Sequence, residues 1–148
     1  MEPRRFLLYT SFMKVDGKCH CGFVTFTADV DLETAGICHC TDCQTFSGSA
    51  FRTLVRSLPG TFEILSGQPT LYIKTTAESG RKREHAFCPK CGTPIYATTL
   101  ASDPKSYSLR IGTLSPRGVI APKHQIWARS RVAWLGDVLT LPSTDKQS

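Results

Sequence analysis

The sequence contains no apolar run approaching the roughly 20 residues that a membrane-spanning helix needs, so no membrane role is expected. No window keeps a 3.6-residue apolar stripe over three turns, which restricts any helices to short connectors. Internal repeats, linkers and low-complexity segments are also missing, and 148 residues fit one ordinary domain rather than two. Long Lys/Arg-rich segments are lacking too. The tight basic clusters are Arg4-Arg5 and Arg81-Lys82-Arg83, too little for the extended basic arm of a nucleic-acid binder, so nucleic acid is not an expected partner. Arg4-Arg5 followed by Phe6-Leu7-Leu8-Tyr9 imitates an export signal, but Thr10 and Ser11 interrupt the run and no small-x-small cleavage site follows. A cytoplasmic address is therefore expected. Met13-Lys14-Val15-Asp16-Gly17 has the form of a natural start, which would make residues 1–12 dispensable.

What is present is the composition of a folding chain, with 41% hydrophobic and 20% charged residues. Eighteen basic against twelve acidic residues give a net charge of +6, a surplus that favours anionic small molecules. From Phe23 to Val30 the apolar residues Val24, Phe26, Ala28 and Val30 alternate with mostly polar ones, the period of a half-buried strand. Residues 51–55, 62–65, 70–75, 83–87, 95–99 and 107–111 read as further short strands, rich in aromatic and β-branched side chains. Turn chemistry separates them at Pro59-Gly60, Ser66-Gly67-Gln68-Pro69, Glu78-Ser79-Gly80 and Asp103-Pro104. The expected fold is mainly β, a small single domain of short strands.

The chemistry rests on seven cysteines, grouped as Cys19-His20-Cys21, Cys38-His39-Cys40-Thr41-Asp42-Cys43 and Cys88-Pro89-Lys90-Cys91-Gly92. An odd number without an export signal suits metal ligation better than a disulfide framework. Cys88-x-x-Cys91-Gly92 has the form of a zinc knuckle, a tight turn that aims two thiolates at one ion. Cys19 and Cys21 lie two apart at a strand start and share a face, so they can supply the other half of a tetrahedron. Such a four-thiolate site has no vacancy and staples distant segments together. Spacing alone leaves the pairing of the groups open.

Cys38, Cys40 and Cys43 place three thiolates within six residues and leave one vertex empty. A vacancy is what separates catalytic from structural zinc. Three thiolates soften the ion, favouring a sulfur ligand over a reactive hydroxide, and a thiol held there is a nucleophilic thiolate near neutral pH. The alternative is a closed Cys₃His site completed by His20, His39, His85 or His124, in which case both ions are structural. His39, between two ligands of an extended segment, should point away. Ser47-Gly48-Ser49 reads as a turn, Trp127 and Trp134 as core, and Asp42 as a turn residue bonded to backbone.

Gly17-x-Cys-x-Cys-Gly22, Cys38-His-Cys-x-x-Cys43 with Ser47-Gly48-Ser49-Ala50-Phe51, Phe87-Cys-Pro-x-Cys-Gly-Thr-Pro-Ile-Tyr96 and His124-x-Ile-Trp127 resemble the glutathione-dependent formaldehyde-activating enzyme family, which includes centromere protein V. The resemblance runs from about Gly17 to Trp134. It implies a small, single-domain, zinc-stabilised β fold of packed antiparallel sheets over residues 17–136, with an N-terminal extension over 1–16 and a C-terminal tail over 137–148, and two zinc ions, one structural on Cys19, Cys21, Cys88 and Cys91 and one catalytic on Cys38, Cys40 and Cys43. The activity it implies is that of a carbon–sulfur lyase, which joins glutathione and formaldehyde as S-hydroxymethylglutathione. The expected partners are thus a small-molecule thiol and an aldehyde. A rival expectation is a non-catalytic zinc module that binds a thiol, a protein or chromatin.

Overall fold

The structure, a computed structural model, describes residues 11–100 and 103–147. The Arg4-Arg5 segment, with the apolar run after it, lies outside the described residues. Ten strands form one connected sheet: β1 (Phe12–Lys18), β2 (Thr25–Cys38), β3 (Arg52–Ser57), β4 (Glu63–Ser66), β5 (Thr70–Lys74), β6 (Arg83–Phe87), β7 (Pro94–Thr99), β8 (Ser108–Arg110), β9 (Leu114–Ser115) and β10 (His124–Ile126). Their order is β5-β6-β7-β8-β3-β2-β1-β9, with β4 and β10 also paired to β2. Every pairing is antiparallel except β10 on β2. The mainly β reading therefore holds. Among the described residues one α-helix occurs, α1 (Thr41–Ser47), with short 3-10 turns toward the C-terminus. Among the described residues no helix is long and apolar enough to cross a membrane.

Strand β2 organises the molecule because its alternation buries Phe26, Ala28 and Val30 on one face. Strand β1 pairs with it from Phe12↔Asp31 to Lys18↔Thr25 and sends Val15 into the same core. The sheet thus takes in residues 12–16, ahead of the expected start at Gly17. Val24, Val55, Ile95, Leu109 and Leu114 complete the core, and each large apolar side chain removed from water contributes about 1.5–3 kcal/mol. Over it lie four aromatic rings, with Phe62 stacked on Tyr107 at 4.3 Å and touching Phe26 and Tyr96 at 5.4 and 5.3 Å. Stacked and edge contacts of this kind add to plain burial. Two results of this topology position the chemistry. The β1–β2 and β6–β7 turns meet, and β2 ends where β3, β10 and α1 converge.

Candidate metal centres and the adjoining cleft

Cys19 and Cys21 occupy the turn between β1 and β2, and Cys88 and Cys91 the turn between β6 and β7. Both turns close on glycines with positive φ, Gly22 at 80° and Gly92 at 77°, conformations that a Cβ would strain. The knuckle is set by Gly92 N–H donating to the Cys88 carbonyl at 2.9 Å and Cys88 N–H donating to the Thr93 carbonyl at 3.0 Å. Thr93 ties the turns together, its Oγ1 accepting from the His20 N–H at 3.0 Å and lying 3.1 Å from the Cys91 Sγ.

The four sulfurs lie within 4.8 Å of one another. Cys19 and Cys21 are 3.6 Å apart and Cys21 and Cys88 3.8 Å apart. A tetrahedron with zinc–sulfur bonds of about 2.3 Å has edges of about 3.8 Å, whereas a disulfide is about 2.05 Å long. All seven cysteines are free. Backbone N–H groups point at sulfur, from Val24 to Cys19 at 3.2 Å and from Lys90 to Cys88 at 3.4 Å, as thiolate ligands require. These residues fit zinc.

The second group lies where β2 gives way to α1. Cys38 ends the strand, Cys40 is the N-cap with φ −61° and ψ 152°, and Cys43 sits in the first turn. The Cys43 N–H donates to the Cys40 Sγ at 3.2 Å, so a sulfur fills the role usually taken by a hydroxyl or carboxylate oxygen. The three sulfurs also lie within 4.8 Å of one another. The Cys43 thiol, hydrogen-bonded to Cys38, holds the latter down to about 5 with help from the Arg52 guanidinium, while Cys43 itself is pushed up by the same pairing. One vertex of a tetrahedron is left without a ligand from the described residues.

No histidine joins either group. His39 is buried and turned away, with its Nε2 2.7 Å from the Gln125 Oε1 and its ring edge-on to Phe51. His124 packs against Gly36, and His85 stacks on Phe46 with centroids 4.4 Å apart. Gln44 secures the segment by donating to the His39 carbonyl at 2.8 Å and the Ser130 carbonyl at 3.0 Å. Strand β10 adds support, with Ile126 in register with Cys38.

The weaker sequence candidates have structural duties or lie at the surface. Asp42 pairs with Lys74 at 2.5 Å rather than with the backbone. Gly48, with φ 63°, is the C-cap of α1, and the Ser47 hydroxyl donates to the Phe51 carbonyl at 3.2 Å. Trp127 and Trp134, expected in the core, are 40% and 59% exposed.

Sequence reasoning missed a cleft of about 610 Å³ between the helix of the three-cysteine group and the knuckle of the four-cysteine group. Phe46, Phe51, Pro94 and Tyr96 are among its walls, and Arg52 and Arg110 line it from β3 and β8. Arg52 is in register with Cys38 across the β2–β3 pair, which places the cleft beside the three thiols. Burial and the surrounding cations Arg110, Arg52, Lys74 and Arg83 push His85 down to about 3, so its ring is neutral at physiological pH. A pair of arginines on strands paired only through the fold leaves no signature in the chain order.

Comparison with known proteins agrees with the cysteine pattern. The model of the glutathione-dependent formaldehyde-activating enzyme family matches residues 14–130. The chain belongs to that family. A crystal structure of a Rhodobacter sphaeroides protein, a structural genomics target, is 22% identical with a TM-score of 0.57, covering 76% of this chain and 99% of that one. That likeness shows a shared fold. A search of curated proteins finds no match. As a member of the formaldehyde-activating family, the chain carries two cysteine groups that can each hold a metal ion.

Proposed function

We propose that this protein is a zinc-dependent enzyme of the carbon–sulfur lyase type, joining a glutathione-like thiol to a small aldehyde such as formaldehyde, or separating them. The observation that carries the reading is the unequal cysteine count. Four sulfurs enclose one position, whereas three, Cys38, Cys40 and Cys43, border another beside an open cleft. Those three thiolates would hold zinc, which would supply a soft Lewis acid able to keep a thiol substrate as its thiolate.

The protein's own groups do the rest. Arg52, next to Cys38, places positive charge where an anionic sulfur has to arrive. The thiolate sulfur adds to the carbonyl carbon, forming the C–S bond as the C=O π pair moves onto oxygen. That oxygen takes a proton from water to give the hemithioacetal, and the reverse order releases thiol and aldehyde. Cys19, Cys21, Cys88 and Cys91 would hold a second ion, which would serve the fold.

Exchange of ¹³C-formaldehyde with its glutathione adduct, followed by NMR, tests the reading on zinc-loaded protein. Acceleration above the uncatalysed rate is expected. An exchange rate unchanged by stoichiometrically loaded protein would contradict it.

A further inference from the structure

The chain after Ile120 buries almost nothing. From Ala121 to Arg129 every residue is exposed, yet the chain there forms β10 and a 3-10 turn, so something other than core burial holds it in place. Its partner is the three-cysteine loop. The Lys123 N–H donates to the Ala35 carbonyl at 2.8 Å, β10 runs beside β2 from His124↔Gly36 to Ile126↔Cys38, and the Ile126 carbonyl accepts from the His39 N–H at 3.1 Å. Trp127 then takes a φ of 56°, the one positive value at a non-glycine residue among the described residues and rare for so bulky a side chain. Its carbonyl accepts from the Ser130 N–H at 3.0 Å, and the turn so closed carries the Ser130 carbonyl to Gln44. Backbone strain of this kind persists where the surroundings dictate it.

Gln44 stands at the centre of these bonds. It follows Cys43 directly, and its Nε2 donates to the His39 carbonyl at 2.8 Å and to the Ser130 carbonyl at 3.0 Å. His39 in turn follows Cys38 directly. One amide therefore bridges the residues behind the first and the last of the three sulfurs and fastens both to the C-terminal segment. The His39 ring adds a second tie, its Nε2 donating to the Gln125 Oε1 at 2.7 Å. That ring is fully buried, and its Nδ1 has no partner among the described residues. Helix α1 needs such support, because seven residues are too few for a helix to be stable alone. Cys43 rides on that helix while Cys38 ends a strand, so the spacing of their sulfurs depends on what joins helix to strand.

We propose that Gln44, backed by Gln125 and the exposed segment 121–130, is a positioning residue for the three-cysteine site: it fixes Cys38 and Cys43 at the spacing an ion requires and so sets how tightly that ion is kept. The assignment rests on the reading that the three cysteines hold a metal.

The test uses the full-length, zinc-loaded protein, with zinc release to a chromogenic chelator followed in time and melting temperature taken on the same samples. The parent should release one ion quickly and the second slowly. Gln44→Met keeps the length and apolar body of the side chain but has no N–H to donate. In it the first ion should leave about ten-fold faster, with the second ion and the melting temperature unchanged. Cobalt(II) added back after the first ion has left should show weaker sulfur-to-cobalt absorption in the variant, because the three sulfurs no longer meet it together. Gln125→Leu, at an exposed position, should show the same pattern to a smaller degree and decides the question if Gln44→Met does not fold. Equal release rates and equal cobalt bands in variant and parent would overturn the assignment. So would a lower melting temperature with both ions loosened alike, the mark of a general loss of packing. If the parent holds a single ion, the metal reading of the three cysteines falls and the assignment falls with it; if it holds two, failure at Gln44 leaves that reading standing.

Discussion

The two cysteine groups offer the same ligand atom in different settings. The group of four joins turns whose sulfurs Cys21 and Cys88 are 67 residues apart in sequence, fastening the β1–β2 hairpin to the β6–β7 hairpin. The group of three spans six residues at the end of β2 and closes no long loop. Chain entropy makes the first contribute to folding in proportion to what it ties down, while the second contributes little to distant segments. In the function proposed above, ligand number and loop length together, rather than cysteine alone, would divide scaffold from chemistry.

The largest way to break this contrast is Cys88→Ser. Removing one ligand from the group of four should cost on the order of 10 kcal/mol, because metal-binding energy there is folding energy. Loss of soluble protein or of a cooperative melt is the expected readout. A folded variant with unchanged melting would reverse the roles of the two groups.

Glycines beside each group sharpen the contrast at smaller cost. A Cβ on Gly17, just before the four-cysteine turn, would lie 2.1 Å from the Phe26 ring. Gly17→Ala should therefore cost about 1–3 kcal/mol in urea unfolding, since the ring belongs to a packed core. Gly48, capping α1 in the three-cysteine segment, meets nothing within 4 Å and carries only its φ of 63°. Gly48→Ala should cost about 1 kcal/mol. Equal losses at the two positions would show that the segments are equally coupled to the core.

The smallest effect concerns acid stability on the cleft side. His85 is pushed from its ordinary range down to about 3, so as pH falls below 6.5 the unfolded chain takes up a proton that the folded chain refuses. Its contribution is fully present above pH 6.5 and is lost progressively toward about pH 3. His85→Phe, which keeps the stack on Phe46, should flatten that acid limb relative to the parent, read by melting across the pH series. Parallel acid limbs in the two proteins would contradict the assignment of a neutral His85.

Much of this was legible in the chain. Alternation from Phe23 to Val30 locates the middle of β2, and the family resemblance, where spacing alone leaves the pairing open, implies the two cysteine groups that the fold assembles. Strand β1 escaped because Lys14, Asp16 and Lys18 alternate with only two apolar side chains and a glycine, a pattern carried by its partner strand more than by its own propensity. Strand β10 is three residues long and exists through its parallel pairing with β2. Residue type alone puts Trp127 and Trp134 inside, yet Trp127 is 40% exposed, with Arg129 over its ring at 4.9 Å. The cleft could not be read at all. It draws Phe46, His85 and Arg110 from separate elements, and nothing local marks them as neighbours.

The most direct measurement is Cys40→Ser, with zinc content, melting temperature and glutathione response taken on one preparation beside the parent. With only three protein ligands at that position, losing one leaves too few to keep the ion, while the core and the group of four are untouched. The expected result is melting close to the parent's, about one zinc fewer per chain and no response to glutathione. Unfolding like that of Cys88→Ser would make the three-cysteine group structural, and full activity would place the chemistry elsewhere.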